Sequence, residues 1–447
     1  MAPTVRSFSG AFEPLDLIER FPERYPGLLE SGGDAPGAGA RFDILPIANG
    51  ERLVASGEGV EGPHAASGSF LGALQSWWQA LEWPRATERA ALPFLGGWLV
   101  YLGYELAAQI EPTLKLPRSP DAFGALALRT PAAWLRNLSS GAQYLVAEPG
   151  AESLLAQFSL DLEKLPPAAG VSAAPIEMRE EDPEHFLAAV RGALAYTAAG
   201  DVYQTNLSRL WQGQAPVGAG DVYRRLRRAN PSPFAAFLTF GDTAIMSSSP
   251  ERLAEVRAGN ISTRPIAGTR PRGSNRLEDE ALVRSLLGNE KERAEHVMLI
   301  DLERNDLGRI CEGGSVLVDE FMTVETYAHV HHIVSNVSGR LNADVSPVDV
   351  IRALFPGGTI TGCPKVRCMQ IIGELEGVGR GAYTGSLGYI NRNGDCDFNI
   401  LIRTITARGG QYKFRAGAGI VADSDPVLEL AETRAKAEGM LRALGGA

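Results

Sequence analysis

Two short segments carry carboxylates at a spacing that suits a metal ion. KERAEHVML, at 291–299, holds Glu292 and Glu295, and LELAETRAK, at 428–436, holds Glu429 and Glu432 with Lys436 behind them. On a helix, a separation of three or four residues puts side chains on one face. Two such pairs on two helices offer oxygen ligands, which suits Mg2+, a hard cation that keeps positions for water or substrate. Acidic residues at helical spacing also make ordinary solvated faces, so spacing alone leaves both readings open.

Other segments look built to face an anion. RPIAGTRPRG, at 264–273, holds three arginines, with Gly268 and Thr269 beside the small Ala267. FPGGTITGCPKVR, at 355–367, sets glycines beside Thr359 and Lys365, as a loop does where backbone N–H groups approach an anion closely. AGAGIVADS offers Gly417 and Gly419 at the end of an apolar run for the same use. Arg403, within the apolar run FNILIRTITA, needs a partner. Each feature has a plain structural reading too: glycines make turns, and a strand arginine pairs with a structural acid. Together, the carboxylates, cations and N–H loops point to a small substrate with more than one carboxylate.

The elements that position these groups are legible in outline. A chain of 447 residues is long for one simple core, and a composition break falls at LPPAAGVSAAP. This divides the chain into 1–165 and 176–447. In the first part, SFLGALQSWWQALEW predicts an amphipathic helix, and FDILPIA and FLGGWLVYLGYELA predict buried strands. In the second, DPEHFLAAVRGALAYTAAGD predicts a helix with Asp182 as N-cap, Pro183 in the first turn and Gly200 past the end. TNLSRLWQ, FAAFLTFG, TAIMSSS, SVLVDEFMTVE, YTGSLGYI, FNILIRTITA and YKFRAGAGIVA predict strands, and DPVLELAETRAKAEGMLRAL a closing helix. Helices interleaved with hairpin-spaced strands predict an α+β or mixed α/β fold, not a doubly wound sheet.

Hydrophobic residues at 45% are ordinary for a folded soluble protein, and a net charge of −10 argues against nucleic acid or an anionic membrane as partner. MAPTVRSFSG has no apolar core of signal-peptide length, and no run of about 18 apolar residues occurs, so a cytoplasmic protein is expected. Of Cys311, Cys363, Cys368 and Cys396, only the middle two lie close together, which predicts free thiols rather than a zinc site.

RPIAGTRPRG, HVMLIDLERNDLGRI, HHIVSNVSGRL, FPGGTITGCPKVR, GSLGYI and AGAGIVADS, in this order, strongly resemble the chorismate-utilising enzymes over most of 180–447. YPGLLES and RFDIL resemble the N-terminal region of two branches of that family, the aminodeoxychorismate and anthranilate synthases. The resemblance implies large antiparallel β-sheets flanked by helices, and Mg2+-dependent chemistry on chorismate, a ring dicarboxylate. Glu295 and Glu432 match its Mg2+ ligands, and Glu292 and Glu429 ligands through water. Glu251, in SSSPERL, matches the general acid that protonates the departing C4 hydroxyl, which is too basic to leave unaided. Tyr383, Arg403 and Gly417 match positions that hold the enolpyruvyl carboxylate, a task that suits an arginine fork. Gln204, Gly268, Thr359, Lys365, Gly385, Gly419 and Lys436 are expected around the same substrate, with Thr269 holding the loop against the ring. His332 matches the histidine that assists pyruvate loss in anthranilate synthases. LLES, from Leu28 to Ser31, resembles the family's tryptophan-binding segment; the alternative is a helix end capped by Ser31 and Gly32.

Which reaction follows turns on two positions. Members that add water at C2 carry a lysine base where this chain has Gln204, and glutamine cannot deprotonate water. Ammonia is therefore the expected nucleophile, supplied by a separate glutamine amidotransferase subunit, since no glutaminase cysteine motif is present. Aminodeoxychorismate synthases commonly show lysine in PIKGT, and anthranilate synthases show alanine, as Ala267 here. YQTNLS, SSSPER, HHIVS and RFDIL nevertheless resemble the aminodeoxychorismate branch. The expectation is amination at C4; the alternative is amination at C2 with pyruvate loss.

Overall fold

The computed structural model describes residues 2–32, 41–85, 90–166, 170–172, 174–326 and 330–445, all but the side chain of Lys291. Its strands form two antiparallel sheets, of 12 and 11 strands among the described residues. The first sheet runs from Thr4–Phe8 through Gln143–Ala147, Ala132–Asn137, Phe42–Ile47, Gly27–Glu30, Phe234–Phe240, Thr243–Ser249, Thr404–Arg408 and Gln411–Ile420 to Gln204–Gln214 and Met178–Glu180. The second runs from Ile266–Pro271 through Val330–Arg340, Asn260–Thr263, Arg252–Arg257, Cys396–Asn399 and Ser386–Asn391 to Gly97–Leu102, Ala125–Thr130 and Arg52–Ser56. Both sheets take strands from either side of the 165–175 segment. That segment, where described, carries neither helix nor strand.

The sheets pack face to face through Leu99, Tyr101 and Leu128 of one and Ala236, Leu238 and Ile245 of the other. Helices cover the outer faces. Phe70–Leu81, capped by Ser69, buries Leu71, Leu74, Trp77 and Trp78 against the second sheet, the stripe its periodicity predicts. Pro183–Ala198 starts at the Asp182 cap, and Gly200 follows in a left-handed conformation at φ 82°. Pro426–Ala443 and Ala219–Ala229 pack on the first sheet with Met440, Tyr223 and Leu226 in its core.

Two chain segments cross from one sheet to the other side by side. Thr243–Ser249 continues through Pro250 and Glu251 into Arg252–Arg257, and Cys396–Asn399 continues through 400–403 into Thr404–Arg408. FNILIRTITA is thus two strands, not the single strand its apolar run predicts. Arg403 sits at the corner between them with φ 49°. The run stays apolar because both halves are buried, so hydrophobicity hides the change of sheet. Tyr383, Thr384 and Gly385 likewise lie in the turn before Ser386–Asn391 rather than within it. Residues 28–30 are strand, not a helix end. All four cysteines are free, three of them buried. No helix among the described residues is long and apolar enough to cross a membrane.

Candidate active site

Glu251 stands at the seam where the two crossing segments separate the sheets. Its carbonyl accepts from Ile400 N–H at 3.0 Å, and Ser248 N–H donates to the Arg403 carbonyl at 3.1 Å, so the two corners are laced together. The Glu251 side chain is 6% exposed, and its Oε1 has no hydrogen-bond partner. Burial pushes its carboxyl up to about 7, opposed by the Thr359 hydroxyl, the Ile266 N–H, and the charges of Arg403 and Lys436. The Thr359 hydroxyl lies against the carboxyl without closing a well-aligned bond. A buried carboxylic acid that is half protonated near neutrality is suited to give a proton to a poor leaving group.

The Ile266–Pro271 strand forms the next wall. Its pairing with Val330–Arg340 slips by one residue between Ala267, opposite Ile333, and Thr269, opposite His332. Gly268 is the bulged residue, at φ 66°. Thr269 Oγ1 and His332 Nδ1 are 2.9 Å apart. Burial pushes His332 down to about 3, with Arg403 adding to the effect and the Gly268 carbonyl opposing it, so the ring is neutral at ordinary pH.

A second group lines the adjoining strands Gln204–Gln214 and Gln411–Ile420. A Cβ on Gly419 would lie 2.2 Å from Gln204 Nε2, and one on Gly417 would lie 2.6 Å from the Tyr383 hydroxyl. The two glycines therefore make room for those side chains, in addition to any N–H they offer an anion. Gly385 is closed in by the Leu102 carbonyl, 2.3 Å from where its Cβ would be. Burial raises Tyr383 to about 12, keeping it a neutral hydroxyl. Lys436 joins the two groups: Nζ donates to the Gly417 carbonyl at 3.1 Å, and its charge reaches Glu251 and His332.

The four expected metal ligands lie on the helices Glu290–Gly308 and Pro426–Ala443. Among the described residues, no three acidic, histidine or cysteine side chains converge as a metal cluster. Two of the carboxylates are instead engaged by cations: Arg270 holds Glu292 Oε1 at 2.7 Å, and Lys436 holds Glu432 at 2.7 Å. Glu292 Oε2 is buried with no hydrogen-bond partner. Carboxylate oxygens, one of them orphaned, fit a hard divalent cation that keeps waters.

Lys365 has a pairing of its own. Its Nζ is 2.5 Å from Asp306 Oδ2 and 3.1 Å from the Leu354 carbonyl, on the wall of a groove of about 660 Å3. Leu29, Glu30 and Ser31 line a separate cavity of about 250 Å3 with Tyr389 and Asn399. Sequence reasoning misses Arg270, Asp306 and Glu303, although all three lie within RPIAGTRPRG and HVMLIDLERNDLGRI. The acids of the helical stretch LIDLERND, set among apolar residues, are the signal that could have found two of them.

Comparison with known proteins places this geometry. Residues 49–442 match the family described as chorismate binding enzyme. Aminodeoxychorismate synthase component 1 of Bacillus subtilis is 45% identical over 394 residues, covering 84% of this chain and 82% of that protein. Anthranilate synthase component 1 of Pseudomonas aeruginosa is 40% identical over 373 residues, covering 78% and 75%. The crystal structure of anthranilate synthase component I from Streptococcus pneumoniae superposes with a TM-score of 0.80 at 32% identity, covering 91% of this chain and 93% of that one. With the family match spanning most of the chain and a relative 45% identical over 84% of it, the chain belongs to the chorismate binding enzyme family.

Proposed function

We propose that this chain aminates chorismate at C4, giving 4-amino-4-deoxychorismate, with ammonia from a separate glutamine amidotransferase subunit. The product would serve p-aminobenzoate and folate synthesis in the cytoplasm. Gln204 carries the reading. Buried over Gly419, it can donate a hydrogen bond but cannot take a proton from water, which favours ammonia as nucleophile. The name of the B. subtilis relative supports C4 over C2.

In this reading Arg403, the Tyr383 hydroxyl and the Gly417 N–H hold the enolpyruvyl carboxylate, and Lys436 adds charge beside it. Glu251 delivers its proton to the C4 hydroxyl as that group leaves. Thr359 orients the acid, and the Gly268–Thr269 bulge presses on the ring. Glu295 and Glu432 would hold Mg2+ directly and Glu292 and Glu429 through water, in place of the Arg270 and Lys436 pairings, and a cation bound there would supply Lewis acidity. Tryptophan at 28–31 would occupy the cavity beside Ser31.

Ala267 favours a second reading, anthranilate synthesis, because a small residue there leaves C2 open to ammonia. Chromatography of the products from chorismate, Mg2+ and an ammonium salt, with and without an aminodeoxychorismate lyase, separates the two. The C4 reading expects p-aminobenzoate only when the lyase is present. Anthranilate and pyruvate formed without the lyase would establish the second reading instead.

A further inference from the structure

Glu303 is a buried carboxylate that the reaction above leaves unused. It lies on the helix Glu290–Gly308, 4% exposed. Its surroundings come from four parts of the chain. The Thr263 hydroxyl, at the end of the strand Asn260–Thr263, lies beside it and favours its ionised form. Gly358 passes so close that a Cβ there would lie 3.4 Å from Glu303 Oε1. Thr359, the next residue, faces Glu251. Asp306, 4% exposed, follows one helical turn after Glu303 and is paired with Lys365.

These groups form a file through an apolar interior. Ile300, Leu307, Leu253, Phe355 and Ile360 belong to the core around it. At one end, Asp306 and Lys365 line the 660 Å3 groove with Tyr203 and Arg309. At the other, Glu251 meets Arg403 and Lys436. Burial pushes Glu303 up to about 7; Lys365 opposes this, while the charges of Asp306 and Glu251 add to it. Two buried carboxylates that sense each other resist being ionised together, so one proton serves both.

We propose that Glu303 is the proton partner of Glu251: the pair shares one proton across the turn at 358–359, and Glu303 reloads Glu251 from the groove after each turnover. The proposal rests on the reading of Glu251 as the acid. In the step, the C–O bond breaks with its electron pair on oxygen, which takes the Glu251 proton and leaves as water. Ammonia forms the C–N bond with its lone pair, and the nitrogen then loses one proton to solvent. The pair is then without its proton, so Glu303 takes one from the Asp306 side and passes it to Glu251. One proton enters and one leaves per turnover. Glu303 is therefore a positioning residue that acts through Glu251.

The test is the pH dependence of kcat for Glu303→Gln with ammonium salt, from about pH 6 to about pH 9, free-base ammonia held constant. Wild type should slow as pH rises through about 7. Without the neighbouring negative charge, the variant should slow about one unit lower and lose about tenfold in kcat at the alkaline end, with KM within about twofold. Glu303→Asp should restore the profile. An unshifted profile in Glu303→Gln, whatever the rate, overturns the proposal. Should that variant not fold, infrared titration decides. The protonated-carboxyl band of wild type should titrate at lower pH in Glu251→Gln, because burial still favours the protonated form of Glu303 but one negative neighbour is gone. A band that titrates unchanged there, or is absent from wild type, overturns the pair. A wild-type chain that forms no aminated product overturns the functional reading instead, and the infrared result still judges the pair.

Discussion

Gly268 lies against Glu292: a Cβ at position 268 would sit 2.9 Å from Glu292 Oε2 and 2.9 Å from Leu286 Cδ1. The same residue needs φ 66°, which an L side chain rarely adopts. The bulge that sets Ala267 and Thr269 is thus fitted directly under a carboxylate proposed to serve the metal.

Gly268→Ala should therefore damage two things at once. The left-handed backbone costs about 1 kcal/mol, and the methyl group must push Glu292 or Leu286 aside. Thermal melts with and without Mg2+ check this. The variant should melt a few degrees lower and gain less from Mg2+ than wild type does. Equal Mg2+ stabilisation in both would separate the bulge from the metal.

Loss of a direct metal ligand should act on the rate. Glu295→Ala or Glu432→Ala should cost about 10²-fold or more in ammonia-dependent turnover, since a bound cation supplies several kcal/mol of transition-state stabilisation. Glu432→Ala also removes the partner of Lys436, 2.7 Å away, so Lys436→Met serves as its control. Full activity in EDTA would sink the assignment.

Much of this site is legible in the amino-acid sequence, and the rest escapes it for physical reasons. The cap at Asp182 and the stripe of Leu71, Leu74 and Trp77 are local signals, decided within a few residues. Glu251 and His332 stand out through motif resemblance, and the fold brings both under the charges of Arg403 and Lys436. The glycine-rich loop around Lys365 suggests a place in the same group. Its partner, Asp306, lies 59 residues away in the chain, and no local pattern announces that pairing. The apolar run around Arg403 predicts a strand, because a segment that changes sheets stays buried on both sides of the corner. Glu303 escapes notice because an acid on a helix is usually solvated; only the fold, which closes Thr263 and Gly358 over it, shows that this one is enclosed.

Acid should weaken the fold through two histidines. Burial holds His296 down to about 4 and His332 down to about 3, from an ordinary 6.5. A histidine with a depressed folded value contributes stability that is present above about 6.5 and lost as pH falls toward the folded value, because protonation favours the unfolded chain. Each such group is worth on the order of a few kcal/mol by this linkage. Glu251 and Glu303, raised to about 7, act in the opposite direction, their stability being lost as pH rises from the ordinary 4.5 through 7. The histidine contribution is isolated by comparing wild type with His296→Gln. The stability difference between them should shrink as pH falls from about 7 to about 5. A constant difference would mean that His296 takes up protons equally in the folded and unfolded chains.

Ala267 is half-buried opposite Ile333, one residue before the bulge; in the proposed reading it stands where a lysine would attack C2 of the ring. In the proposed reaction, water or ammonia takes that role, and the enzyme forms no covalent bond to substrate. Wild type incubated with chorismate and Mg2+ should therefore show no mass increase by intact-protein mass spectrometry. Ala267→Lys should allow an adduct through the new amine without changing the product, because the leaving group at C4, the acid Glu251 and the neutral His332 are untouched. If Ala267→Lys turned an anthranilate-forming enzyme into one that aminates C4, residue 267 itself would decide the site of amination. The neighbourhoods of Gln204, Glu251 and His332 would then carry no information about it.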